Sequence, residues 1–113
     1  MLNCIIIYKM LLATAKSKNN ILIRLTDERF KHIIYSHKEI SLPDFKLIAS
    51  TIENPVAIFE GNSDELLATS KFDKNRWIVV VYKELKSDGF VITAYITTDF
   101  KWLLKRKIIW TNK

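Results

Sequence analysis

Trp77-Ile78-Val79-Val80-Val81-Tyr82-Lys83 and Phe90-Val91-Ile92-Thr93-Ala94-Tyr95-Ile96-Thr97 are two runs of β-branched and aromatic residues with turn formers between them. Such runs read as adjacent antiparallel strands. Ser87-Asp88-Gly89 as a three-residue loop, with Gly89 left-handed, sets Lys86 opposite Phe90 and Lys83 opposite Thr93. Ile78, Val80 and Tyr82 then share a core face with Ile92, Ala94 and Ile96. The other face gathers Trp77, Val79, Val81 and Lys83 with Val91, Thr93, Tyr95 and Thr97. A two-residue loop would turn every one of these side chains over.

Moving toward the amino terminus, Val56 to Phe59 and Leu66 to Phe72 flank Gly61-Asn62-Ser63, a hairpin signal, and Asp73-Lys74-Asn75 turns the chain into the first strong run. Before Pro55 the period is helical. Thr26 stands at an N-cap with Asp27 and Glu28 behind it, Leu25 and Phe30 have staple spacing, and Phe30, Ile33, Ile34 and His37 lie on one face. Ser41 caps a second helix with Pro43 in its first turn and an inner stripe of Leu42, Phe45, Ile48, Ala49 and Ile52, which Asn54-Pro55 stops. Toward the carboxyl terminus, Lys101 to Trp110 mixes cations and indoles in a short helix or a last strand. The expected class is α+β: two N-terminal helices followed by a curved antiparallel sheet of four to five strands.

Residues 1–20 are expected to form an extension that packs on the domain or on a partner, and 21–113 a single domain. Met1 to Ala15 is apolar, but Lys9 interrupts it and it falls short of the roughly 20 apolar residues that span a bilayer. A homodimer through this segment is one expectation; membrane insertion is not. The single cysteine, Cys4, allows no internal disulfide and suits a cytoplasmic address.

The 113 residues include 18 Lys+Arg and 12 Asp+Glu, a net charge of +6. That charge is unevenly placed. Met1 to Glu65 holds eight cations and eight acids, whereas Leu66 to Lys113 holds ten cations and four acids. A positive field over one half favours a polyanionic partner, with nucleic acid first. There is no HExxH, no CxxC and no acidic cluster, and with two glycines no phosphate-cradling loop, so neither a metal nor another cofactor is expected.

His, Lys, Arg, Thr and Tyr suit a reaction that needs no metal. RNA supplies its own nucleophile in the 2′-hydroxyl, so a base, an acid and cations that stabilise the pentacoordinate phosphate suffice. His37, at the end of the first helix, is the candidate acid or base; a histidine on an apolar helix face also suits a hydrogen-bonded core position. His32 lies about 140° from it around an ideal helix, so it ranks as an exposed or substrate-side residue. Lys83 is the candidate cation for the scissile phosphate, with Tyr95 and Thr93 beside it; the same three also suit a solvated strand face. Lys71, Arg76, Lys105, Arg106 and Lys107 are candidates for RNA-backbone contacts, and Trp102 for base stacking.

Several pieces, in order, resemble the group of nucleases that includes barnase, EndoU, the RNA-cleaving colicins and RelE. They are Leu25-Thr26-Asp27-Glu28-Arg29-Phe30-Lys31-His32-Ile33, His37-Lys38-Glu39, Ile52-Glu53-Asn54-Pro55, the two strand runs, and Ile109-Trp110. The resemblance runs from about Ile23 to Trp110. It implies helices ahead of a curved antiparallel sheet and a metal-independent ribonuclease, the toxin of a toxin–antitoxin pair with tRNA or mRNA as substrate and a cognate antitoxin protein as partner. A non-catalytic RNA-binding or protein-interaction domain is the rival expectation, and a small antitoxin or adaptor is a third.

Overall fold

A computed structural model of the chain describes residues 10–112. Strand β1 (Leu11–Lys16) turns through Ser17 to Ile21 into β2 (Leu22–Thr26), with Asn20 taking the left-handed backbone that the turn requires. Thr26 ends β2 and caps the helix that follows, α1 (Asp27–Ser36): its hydroxyl accepts from the Arg29 N–H at 3.2 Å. Leu25 and Phe30 are both buried in one core. A 3-10 turn over Leu42–Asp44 leads into α2 (Phe45–Glu53), and the Asp44 carboxylate accepts from the Ser41 N–H at 2.9 Å. Asn54 closes α2 ahead of Pro55, its N–H donating to the Ser50 carbonyl at 2.8 Å.

Four strands then run back and forth: β3 (Ala57–Glu60), β4 (Leu66–Lys71), β5 (Trp77–Glu84) and β6 (Asp88–Thr97). A short 3-10 turn, Leu103–Lys105, precedes β7 (Ile108–Thr111). The sheet has the order β1-β2-β6-β5-β4-β3-β7, with β2 and β6 parallel and all other neighbours antiparallel.

The expected architecture of two N-terminal helices and then a four- to five-stranded antiparallel sheet is overturned. The described residues form a seven-stranded mixed sheet, mostly β, with two short helices inserted after its second strand. The β-branched run before Thr26 is itself a strand, and Leu11–Lys16, from the expected extension, pairs with it. A run of five apolar and polar residues carries no label for the strand it joins; that is decided by tertiary packing. The Met1–Lys9 part of the extension, on which the expected homodimer contact rests, lies outside the described residues. No helix among the described residues is long and apolar enough to cross a bilayer.

Side chains from both helices and one sheet face make the main core, which includes Phe30, Ile33, Ile48, Ile52, Ile78, Val80, Tyr82 and Ala94. Each valine, isoleucine or phenylalanine among them contributes roughly 1.5–3 kcal/mol on burial. Leu42, assigned to the inner stripe, is instead 71% exposed, because it belongs to the 3-10 turn rather than to α2. On the opposite face a second core gathers Ala57, Phe59, Leu67 and Val79 under Leu103.

The β5–β6 register departs from the expected one. Ile78 pairs with Ile96, Val80 with Ala94 and Val81 with Thr93, but a bulge then shifts the ladder so that Tyr82 pairs with Val91 and Lys83 with Phe90. Ile92 is the extra residue, and Val91 takes the place in the main core that the sequence assigned to Ile92. Gly89 is not left-handed in a loop. It is buried inside β6, between Glu84 on one side and Ile23 on the other. A Cβ there would stand 2.2 Å from the Lys83 carbonyl oxygen and 2.8 Å from Ile23 Cδ1. The glycine is required by close approach of three strands rather than by a turn.

Candidate nucleic-acid site

β2 ends at Thr26 while β6 continues to Thr97, so α1 follows β2 past the end of their short parallel pairing and packs on β6. His37 closes α1, its N–H donating to the Ile33 carbonyl at 2.9 Å. Its imidazole comes to 6.1 Å, centre to centre, from the ring of Tyr95, at 38°. On its other side Tyr95 faces Trp102 at 6.2 Å and 19°, and the Arg106 guanidinium carbon lies 5.4 Å from the Trp102 ring centre. All four residues are half-buried. Imidazole, phenol, indole and guanidinium thus form one row.

The segment from Phe100 to Arg106 is held firmly enough to present that row. Leu103 is wholly buried in the second core. Phe100 stacks on Trp77 at 4.3 Å and meets the edge of Phe59 at 6.0 Å. Arg106 Nη1 donates to the Glu60 carbonyl at 3.3 Å and to Asn62 Oδ1 at 3.1 Å. Burial pushes the Tyr95 phenol up to about 12, with Arg106 pulling weakly the other way. Tyr95 therefore stays a hydrogen-bond donor at neutral pH.

Other expected site residues lie elsewhere. Lys83 is on the same sheet face as Tyr95, but it pairs with Phe90, whereas Tyr95 pairs with Val79, four residues along β5. At about 3.3 Å per residue that is an offset of about 13 Å. The expected pairing of Lys83 with Thr93 is thereby corrected: the bulge places Val81 there. Thr93 is half-buried, two residues before Tyr95 on β6. The sheet face expected to be open is closed over Val79 by Leu103, with Phe100 and Trp102 packed against the same cluster.

His32 points away from His37, into shallow clefts with Glu28, Arg29, Lys31 and Tyr35 on the outer side of α1. Lys71 Nζ sits 4.7 Å over the Trp77 ring and donates to the Lys74 carbonyl at 3.0 Å. Arg76 is bound to Asp73, whose carboxylate its Nε and Nη2 reach at 2.9 and 2.6 Å. That contact holds Asp73 below the usual carboxylate range and, with the more distant Glu39, raises Arg76. Lys105 and Lys107 are exposed on either side of Arg106.

Phe100 and Leu103, which anchor the row, were not singled out from the sequence. The i, i+4 spacing of Trp102 and Arg106 was a usable signal for their contact. No group of three or more metal-ligating side chains occurs among the described residues. No family model, curated protein or solved structure matches the chain.

Proposed function

We propose that the protein binds single-stranded RNA along the row His37, Tyr95, Trp102 and Arg106 and cleaves it there without a metal ion. The observation that carries the reading is the contact of His37 with Tyr95, continued through Trp102 to Arg106. Aromatic faces stack bases whatever their sequence, and a neighbouring guanidinium takes a phosphate. The excess of cations after Glu65 adds attraction for the strand. His37 accepts the proton of the 2′-hydroxyl as its oxygen attacks phosphorus. The bond from phosphorus to the 5′-oxygen breaks, and the Tyr95 hydroxyl gives that oxygen its proton. The products are a 2′,3′-cyclic phosphate and a 5′-hydroxyl, and water restores both side chains.

Such an enzyme acting on tRNA or mRNA in the cytoplasm is a toxin in need of a cognate antitoxin. Kinship with the barnase, EndoU, colicin and RelE nucleases belongs to the same proposal and is supported by the ordered pieces of sequence. The offset of Lys83 from Tyr95 favours a second reading, binding without cleavage, because it leaves the scissile phosphate without that ammonium.

Incubating the protein with tRNA and mRNA in excess chelator separates the two. New cyclic-phosphate ends, absent with His37→Ala, support cleavage. Bound but intact RNA supports the second reading, and RNA neither bound nor cut removes both.

A further inference from the structure

The second core, under Leu103, Phe100 and Trp102, reaches Val81 in β5. Beyond it the same sheet face carries Lys83 on β5, Phe90 on β6, and Leu22 and Arg24 on β2. These are the residues that alternate with Tyr82, Val91, Ile23 and Leu25 of the main core. Phe90 and Leu22 are each 42% exposed.

The register sets the charges around the ring. Phe90 pairs with Lys83 on one side and with Arg24 on the other. Adjacent strands stand about 4.8 Å apart, so the ring has a cation one strand away on either side. Lys16, which pairs with Leu22, adds a third cation one strand further out. Among the described residues Asp88 is the acid on this part of the face, and Arg24 is bound to it. Glu84, next to Lys83 in β5, alternates away from it, and Asn19 Nδ2 donates to its carboxylate at 2.9 Å. Lys83 and Lys16 make no ion pair among the described residues. A phenyl ring between cations suits a base on its face and phosphates at its flanks. Tyr95 lies on the same face, about 13 Å along the strands, a span that a few nucleotides of single strand bridge.

We infer that Phe90 is a second base-stacking position for the RNA strand held by His37, Tyr95, Trp102 and Arg106, with Lys83 and Arg24 taking the phosphates beside that base. The inference rests on the RNA reading proposed above. It gives Lys83 a part in binding outside the cleaved bond, where its offset from Tyr95 is no obstacle.

Anisotropy titrations of the full chain with labelled RNAs of three and ten nucleotides, in excess chelator, test it. The longer RNA should bind more tightly than the shorter. Phe90→Ala should weaken the longer RNA about fivefold or more, the worth of one lost stack, and leave the shorter unchanged, while Phe90→Tyr keeps the native affinity. Lys83→Ala should lower the slope of log affinity against log salt by about 0.7 for the longer RNA alone. Equal affinity of the native chain for the two lengths, or full affinity of Phe90→Ala for the longer one, would overturn the inference and leave the row standing. So would a loss that Phe90→Tyr shares, which marks packing rather than stacking. Binding of neither RNA would remove the proposed function and the inference together.

Discussion

The imidazole of His37 and the phenol ring of Tyr95 stand 6.1 Å apart, although one closes helix α1 and the other lies within strand β6. The contact exists because β2 and α1 are continuous through Thr26, so the helix starts at Asp27, just beyond Arg24, the last residue of β2 paired with β6. Chemistry that uses both groups needs this junction as much as the groups themselves. Removal of a general base costs about 10²- to 10⁴-fold in rate. His37→Ala should therefore lower the cleavage rate by that factor, a far larger effect than any on RNA affinity. Tyr95→Phe, which keeps the ring and its packing, should lower the rate by about tenfold or more. Single-turnover assays at saturating protein read the chemical step apart from binding; a variant that binds worse but cuts at the native rate would remove the proposed roles.

Trp102 and Arg106 contact each other yet should fail differently. Stacking of one base is worth about 1–3 kcal/mol, so Trp102→Ala should weaken binding of a short RNA with an unchanged dependence on salt. Arg106→Ala removes a cation, and one lost phosphate contact lowers the slope of log affinity against log salt by about 0.7 for a single strand. Fluorescence anisotropy at several salt concentrations measures both quantities. Identical slopes for Arg106→Ala and the native chain would show that Arg106 meets no phosphate.

Gly89 and Gly61 are the chain's two glycines, and alanine should be tolerated unequally at them. At Gly89 the nearest obstacle is the backbone oxygen of Lys83, 2.2 Å from a new Cβ, so strands β5 and β6 must separate where Glu84 pairs. At Gly61 the obstacle is the Glu65 side chain, 2.3 Å away at Cδ, which can rotate out. It would give up bonds from the Asn62 and Ser63 N–H groups, at 3.2 and 2.7 Å. Overpacking against a fixed backbone costs about 3 kcal/mol, and loss of such exposed bonds about 1 kcal/mol. Denaturant midpoints should fall much further for Gly89→Ala than for Gly61→Ala.

Gly89 also shows where reading the sequence stops. Thr26 and Phe30 declared the start of α1 through local capping chemistry, whereas Ser41 caps only the 3-10 turn before α2, and Ile78, Val80, Ala94 and Ile96 declared a common face through their period. Those signals act over a few residues. The bulge at Ile92, the docking of Ile23 over Gly89 and the covering of Val79 by Leu103 depend on residues distant in sequence finding one another. One added residue in β6 was enough to exchange Ile92 for Val91 in the core and to move Lys83 away from Thr93. His37, Tyr95, Trp102 and Arg106 were each legible as chemistry, but their assembly into one row was not.

Alkaline titration tests the setting of Tyr95 without any assumption about RNA. A free phenol loses its proton near pH 10, whereas burial pushes Tyr95 up to about 12 and raises Tyr82, buried in the main core, as well. Below about pH 10 both folded and unfolded chains hold these protons, and the contribution to stability is complete. Between about pH 10 and about pH 12 the unfolded chain releases them first, so stability falls as pH rises. Phenolate absorbance should show Tyr95 ionising late, toward about pH 12. Tyr95→Phe should remove one late proton and flatten the loss of stability over the same interval. A native chain whose tyrosines all ionise together near pH 10 while still folded would place the Tyr95 phenol in open water and dissolve the row built on it.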